Sequence, residues 1–300
     1  MKDPLELFQH LLNRKSGLFF FLIILLNLLG AGVAHYLGSP VNWSHFVLGL
    51  VWLVVLGTGI IFLDELFHPV RVADESKVKP LTRLELQRRQ NALLGMIAGI
   101  LSVVAVLLVW MLHEAVLSMG AIIVVLIIVL FALLLILPPV RLWTSGVGEF
   151  ILSFLFCQVI PVYAYLLQAK DLNRLLSLST LPVTAIFFAM LIAFQFETYG
   201  KPALQSGMML VTRIGWQNGA KAHNFLLVLA YLLIGVAFWV GLPWRIVLPF
   251  LFTLPVALLQ IYLLNRITGG AKPLWRVYRY TASILTLLAI YLISYTYWTG

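Results

Sequence analysis

The residues best suited to chemistry are concentrated in one stretch, residues 62–83, FLDELFHPVRVADESKVKPLTR. An apolar segment gives way there to acids, a histidine and cations, although only 10% of the chain is charged. The members of this group are Asp64, Glu65, His68, Arg71, Asp74, Glu75, Lys77, Lys79 and Arg83. Carboxylates offer the oxygen ligands that hard divalent cations prefer, and Arg and Lys bind phosphate-like anions. The stretch is therefore either a solvated loop or a ligand-binding site.

The acids at the start of this stretch favour a site. Asp64 and His68 are four residues apart and share one face of a helix, with Glu65 beside them. Pro69 then prevents regular continuation of that helix. Membrane topology needs Lys and Arg at such a boundary, but it does not need acids in the last turn of a membrane helix. Ionisable groups at that depth are costly and usually functional.

Two further acids lie at comparable boundaries. Glu197 ends the sixth apolar segment and is followed closely by Lys201. The two long internal loops thus each place carboxylates at the membrane edge with cations beyond them, which suggests that they face a shared cavity. Glu149 follows a Gly-rich turn at Thr144–Gly148. It faces water, favours a helix N-terminus through the dipole, or belongs to the same site.

The elements that must position these residues are membrane helices. Hydrophobic residues make up 62% of the 300 positions, with a mean hydropathy of +1.02, against about 45–50% apolar content in soluble domains. Helical spans need about 20 apolar residues each, and no run shows the alternation of a membrane strand. Nine runs qualify: 17–37, 44–66, 92–112, 116–137, 148–167, 178–196, 224–240, 244–264 and 281–298. The prediction is an all-α polytopic membrane bundle of nine transmembrane helices, a single domain over 1–300.

The distribution of basic residues predicts the orientation, because cytoplasmic loops collect Lys and Arg. Of the 20 Lys and Arg residues, only Lys170, Arg174 and Arg245 fall on one side of the nine spans. The N-terminus is therefore expected in the cytoplasm and the C-terminus outside an integral cell (inner) membrane, with long cytoplasmic loops at 67–91 and 197–223. Residues 1–15 are expected to form an interfacial helix. This bias and attraction to anionic lipid explain the net charge of +9, and no motif calls for nucleic acid.

Several other residues are interpreted as structural. Cys157 is the single cysteine, which excludes an intrachain disulfide and a cysteine metal cluster. Gln158, Gln195 and Gln260 are expected to form hydrogen bonds between helices. The last internal loop, residues 265–280, is basic and aromatic, as expected of an interfacial belt, and no chemistry is assigned to it.

Four segments together resemble the UbiA superfamily of intramembrane prenyltransferases. They are LDELFH at 63–68, KPLTRLEL at 79–86, LPPVRL at 137–142 with Gly148-Glu149, and MLVTRIG at 209–215. Members have nine helices, and Asp-rich motifs at the cytoplasmic ends of helices 2 and 6 hold magnesium and an isoprenyl diphosphate. In the first motif, Asp64 stands for an Asn, Glu65 for the first acid and His68 for the next Asp. The second motif offers only Glu197, with Lys201 and Pro202 where a further acid is expected.

The resemblance implies a Mg²⁺-dependent transferase that moves an isoprenyl group from a prenyl diphosphate to a hydrophobic aromatic or lipid-quinone-precursor acceptor within the bilayer. It implies catalytic roles for Asp64, Glu65 and Glu197, with His68 joining these three as metal ligands. Arg71, Lys79, Arg83 and Lys201 would bind the diphosphate. The reduced acid count keeps a second class open, a catalytically impaired relative that binds a lipid or prenyl chain or supports another membrane protein. A small-solute transporter is less favoured, because the spans lack paired Gly/Pro-broken segments.

Overall fold

Nine helices long and apolar enough to cross a membrane are found in a computed structural model that describes residues 16–67, 83–169, 171–199 and 210–300. The described residues contain no strand. Numbered in chain order, the helices are α1 (Ser16–Tyr36), α2 (Trp43–Phe67), α3 (Arg83–His113), α4 (Met119–Ile136), α5 (Gly148–Leu166), α6 (Arg174–Phe196), α7 (Leu210–Ile214), α8 (Trp216–Trp239), α9 (Trp244–Thr268) and α10 (Trp275–Thr299). All except the short α7 are long enough to span, so the predicted all-α, multi-pass membrane protein is confirmed.

Helices α1, α5 and α6 form the centre of the bundle, and α3, α8 and α9 lie at its periphery. Helix α1 packs against α5 and α10, while α6 packs against α5, α8 and α10. Close approach of α1 to α5 depends on Gly30, since a Cβ there would overlap the Pro161 carbonyl oxygen and lie 2.8 Å from the Ala164 Cβ. Small residues at helix interfaces in lipid allow this kind of backbone contact.

Helix α5 is not uniformly α-helical, because residues Leu155–Val159 form a π-helical segment. Gln158 lies in this segment and ties it to α6. Its Nε2 donates to Thr184 Oγ1 over 2.7 Å, and its Oε1 accepts from Thr180 Oγ1 over 2.8 Å. The predicted interhelical role of Gln158 is confirmed, and Gln260 likewise donates to the Tyr278 carbonyl of α10.

The helices extend further than hydropathy predicts, mainly at the ends expected in the cytoplasm. Helix α8 begins at Trp216 rather than 224, and α10 begins at Trp275 rather than 281. Together with α7, the first turns of α8 occupy part of the second predicted loop, 197–223. Hydropathy ends a span where polar residues begin, but the backbone hydrogen bonds of a helix continue past that point. Residues 1–15, the predicted interfacial helix, lie outside the described residues.

Candidate functional site

Asp64 and Glu65, the first predicted acidic pair, lie in the last turn of the described part of α2. Residues Phe46, Gly49, Leu56, Gly59 and Phe62 belong to a continuous buried stripe along this helix. Glu65 is the last member of that stripe and is 6% exposed, whereas the neighbouring Asp64 is half-buried. Spacings of three and four residues place the stripe on one face, so α2 carries a carboxylate on the face that it turns towards the protein.

The second predicted acid, Glu197, directly follows α6 and is paired with an arginine. Its Oε2 lies 2.7 Å from Nη1 of Arg279 on α10, and both side chains are partly exposed. The two groups form an ion pair between the end of α6 and the first turns of α10. Arg279 belongs to the last internal loop of the sequence analysis, which was assigned no chemistry.

Glu149 is completely buried at the start of α5. Its Oε1 accepts hydrogen bonds from Gln195 Nε2 over 3.0 Å and from the backbone N–H of Leu210 over 2.9 Å. Gln195 in turn accepts from the N–H of Val211 through Oε1, over 2.9 Å. The water-facing alternative for Glu149 is therefore wrong. The carboxylate joins α5, α6 and α7, and the predicted interhelical role of Gln195 is confirmed.

Two of the segments that carry the family resemblance pack against each other. Gly146, in the connection between α4 and α5, has a φ of +80°, which is a conformation that favours glycine. A Cβ at this position would lie 2.9 Å from Cδ of Arg213 on α7. Together with the bond from Leu210 to Glu149, this contact joins residues 137–149 to the MLVTRIG segment.

The remaining predicted site residues lie outside the part of the chain that the structure describes. These are His68, Arg71, Lys79 and Lys201, together with the side chain of Arg83, whose backbone begins α3. Helices α1 and α5 each pack against both α2 and α6, and so connect the two acid-bearing helices. Among the described residues, no group of three His, Cys, Asp or Glu side chains could hold a metal ion. A shared site for Asp64, Glu65 and Glu197 remains a prediction.

Two apolar grooves lie between neighbouring helices. The larger, of about 450 Å³, runs between α2 and α3 and is lined by residues that include Thr58, Phe62 and Gly99. The smaller, of about 240 Å³, lies between α8 and α9 beside Tyr231. Neither groove is lined by a charged side chain, which suits contact with hydrocarbon chains.

The architecture defines the class: a multi-pass integral membrane protein built as a bundle of helices. Its fold is similar to that of a solved structure titled "Structural and mechanistic insights into the biosynthesis of Digeranylgeranylglyceryl phosphate synthase in membranes", with a TM-score of 0.62 and 15% identity. The likeness covers 99% of this chain and 98% of that one, and it confirms the fold implied by the resemblance. No family model matches the chain, and no curated protein matches it in sequence.

Proposed function

We propose that this protein is an intramembrane prenyltransferase. It moves an isoprenyl group from a prenyl diphosphate to a hydrophobic aromatic or lipid-quinone-precursor acceptor, with Mg²⁺ as its cofactor. The observation that carries the proposal is the position of Glu65. This carboxylate ends the protein-facing stripe of α2, in a bundle that shares its fold with a digeranylgeranylglyceryl phosphate synthase over nearly its whole length.

The donor chemistry of Asp64 and Glu65 fits one Mg²⁺. Two adjacent carboxylates supply hard oxygen ligands, and Mg²⁺ commonly binds through one or two carboxylates while keeping water and phosphate oxygens in its other positions. Bound there, the ion would offset the negative charge of a departing diphosphate. Arg71, Lys79, Arg83 and Lys201 supply cations for the same anion, Arg by bidentate contact and Lys as a point charge.

The proposed reaction breaks the bond between the allylic carbon of the isoprenyl group and the diphosphate oxygen, and the electron pair leaves with the diphosphate. The electron-rich acceptor forms a new bond to that carbon and loses a proton. Each buried CH₂ of the isoprenyl chain contributes about 0.8 kcal/mol to binding among the spans. A membrane bundle of this kind therefore suits a water-insoluble donor and acceptor.

The test is transfer of a radiolabelled prenyl group by the purified protein. Protein in nanodiscs is incubated with labelled geranylgeranyl diphosphate and a panel of aromatic and lipid acceptors, either in Mg²⁺ or in EDTA. We expect Mg²⁺-dependent label in at least one acceptor. Absence of transfer to every acceptor, in protein that is shown to be folded, would reject the transferase.

A second candidate is a family relative that binds a prenyl lipid without transferring it. The observation that favours it is the pairing of Glu197 with Arg279, which engages the one acid of the second motif. Such a protein would bind a prenyl diphosphate or prenyl alcohol but release it unchanged. Replacing Glu65 with Gln separates the two candidates, because an enzyme loses metal-dependent binding and a lipid-binding scaffold keeps its affinity.

A further inference from the structure

The half of the site formed by α6 and the helices after it contains almost no acid. Glu197 is the only Asp or Glu after Asp171, although that part of the chain contains nine Lys and Arg residues, all but Arg174 and Arg245 on the same side of the predicted topology as Glu197. The acid linked to α6 from elsewhere, Glu149, is fully buried and uses Oε1 to accept two N–H groups. Carboxylates to hold a metal ion are therefore scarce at this end of α6, and cations are abundant.

Arg279 lies next to Glu197, the one acid in this part of the chain. Its Nη1 lies 2.7 Å from Glu197 Oε2, and 41% of its side chain is exposed. A guanidinium has five N–H donors, and the contact of Nη1 with Glu197 does not use all of them. The pair therefore keeps a cation in place, and the partly exposed guanidinium has further donors to offer an anion.

An aromatic cluster packs together α6, α8 and α10 close to Glu197 and Arg279. Trp216 on α8 packs edge-on against Phe196 at the end of α6, with ring centroids 4.7 Å apart, and against Trp275 on α10 at 5.9 Å. Tyr278, next to Arg279 in α10, is fully buried and lies 6.3 Å from Phe196. The helix ends that carry Glu197 and Arg279 are thus packed together, and such preorganisation favours ligand binding.

We propose that Arg279 binds the diphosphate of the prenyl donor directly, through its guanidinium. Glu197 is then a positioning residue that holds the guanidinium by charge, rather than a metal ligand. Arginine suits this role because its planar donors match phosphate oxygens bidentately. The inference rests on the proposed function, and it limits the metal requirement to the α2 half of the site.

The test measures binding rather than turnover. Affinity for inorganic pyrophosphate is determined by calorimetry on the full-length protein in nanodiscs, in Mg²⁺ and in EDTA. Arg279→Gln should weaken binding about 10-fold to 100-fold, as expected for the loss of charge-assisted hydrogen bonds. Arg279→Lys should recover part of that loss, because it keeps the charge but not the planar donors. Arg276→Gln, an exposed cation three residues earlier in α10, is the matched control and should change little.

Glu197→Gln distinguishes a positioning residue from a metal ligand. We expect it to weaken pyrophosphate binding only a few-fold and to leave the dependence on Mg²⁺ unchanged. The inference is overturned if Arg279→Gln binds as tightly as Arg276→Gln, if Glu197→Gln abolishes the Mg²⁺ dependence, or if the unmutated protein does not bind pyrophosphate. If Arg279→Gln does not fold, the affinity of Arg279→Lys decides, with wild-type affinity counting against the proposal. Binding that depends on Arg279 without any prenyl transfer would reject the transferase and retain this anion site.

Discussion

Gln195 donates a hydrogen bond from Nε2 to Glu149 Oε1 over 3.0 Å, and this bond joins the last turn of α6 to the first turn of α5. The same two side chains accept the backbone N–H groups of Leu210 and Val211. Gln195 precedes Glu197 by two residues, so this hydrogen-bond network also fixes the position of Glu197 at the end of α6. The buried polar groups here therefore hold together the helix ends that carry the candidate site.

Replacing Glu149 with Ala should destabilise this region. The change removes the acceptor of Gln195 Nε2 and of the Leu210 N–H, and a donor left buried without a partner costs about 1–3 kcal/mol. We expect a lower unfolding temperature in detergent, measured by intrinsic fluorescence. Glu114→Ala, which removes an exposed acid, is the control. Equal unfolding temperatures of the two variants would show that this hydrogen-bond network does not stabilise the fold.

Gly30→Ala should be much more damaging than Gly95→Ala. A Cβ at position 30 would overlap the Pro161 carbonyl oxygen, whereas a Cβ at position 95 meets no atom within 4 Å. Overpacking of this kind costs about 1–3 kcal/mol, while Ala in an open helical position is favoured over Gly. Thermal unfolding and the yield of monodisperse protein measure the difference. If both variants have the same unfolding temperature and yield, α1 does not pack as closely on α5 as the structure shows.

Single-cysteine labelling tests the predicted orientation. Cys157 is fully buried, so the native protein should not react with a membrane-impermeant maleimide. Arg88→Cys and Asp171→Cys place exposed thiols on opposite sides of the predicted topology. In intact cells we expect labelling of the cysteine at 171 and protection of the one at 88 until the membrane is opened. The reverse pattern would invert the topology and move both acidic helix ends outside.

Local sequence patterns predicted the helices well, because each span is encoded by its own apolar run and its own boundary signals. Helix α5, for example, spans Gly148–Leu166, within one residue of the predicted run 148–167. The true extents of α8 and α10 were missed, since hydropathy does not report helix that continues beyond the lipid. The candidate site residues were chosen where acids interrupt apolar runs, as at Glu65 and Glu197.

Long-range partners could not be predicted in the same way. The pairing of Glu197 with Arg279 joins residues 82 positions apart, and the last internal loop reads as an ordinary basic belt when considered alone. Glu149 is likewise bound by distant groups, the side chain of Gln195 and the backbone N–H of Leu210 in α7. The one available signal for Arg279 was its charge at the end of a span, opposite an unmatched acid in another span.

The most direct test of the account is the effect of Glu65→Gln on Mg²⁺-dependent transfer of a labelled isoprenyl group from geranylgeranyl diphosphate in nanodiscs. Glutamine preserves the size of the side chain but removes the charge needed by a metal ion, so transfer should fall about 100-fold or more while the unfolding temperature stays near that of the unmutated protein. Glu114→Gln, which neutralises an acid on the opposite side of the predicted topology, should retain full activity. Undiminished transfer by Glu65→Gln would contradict the account, because the buried carboxylate of α2 would then have no part in the reaction.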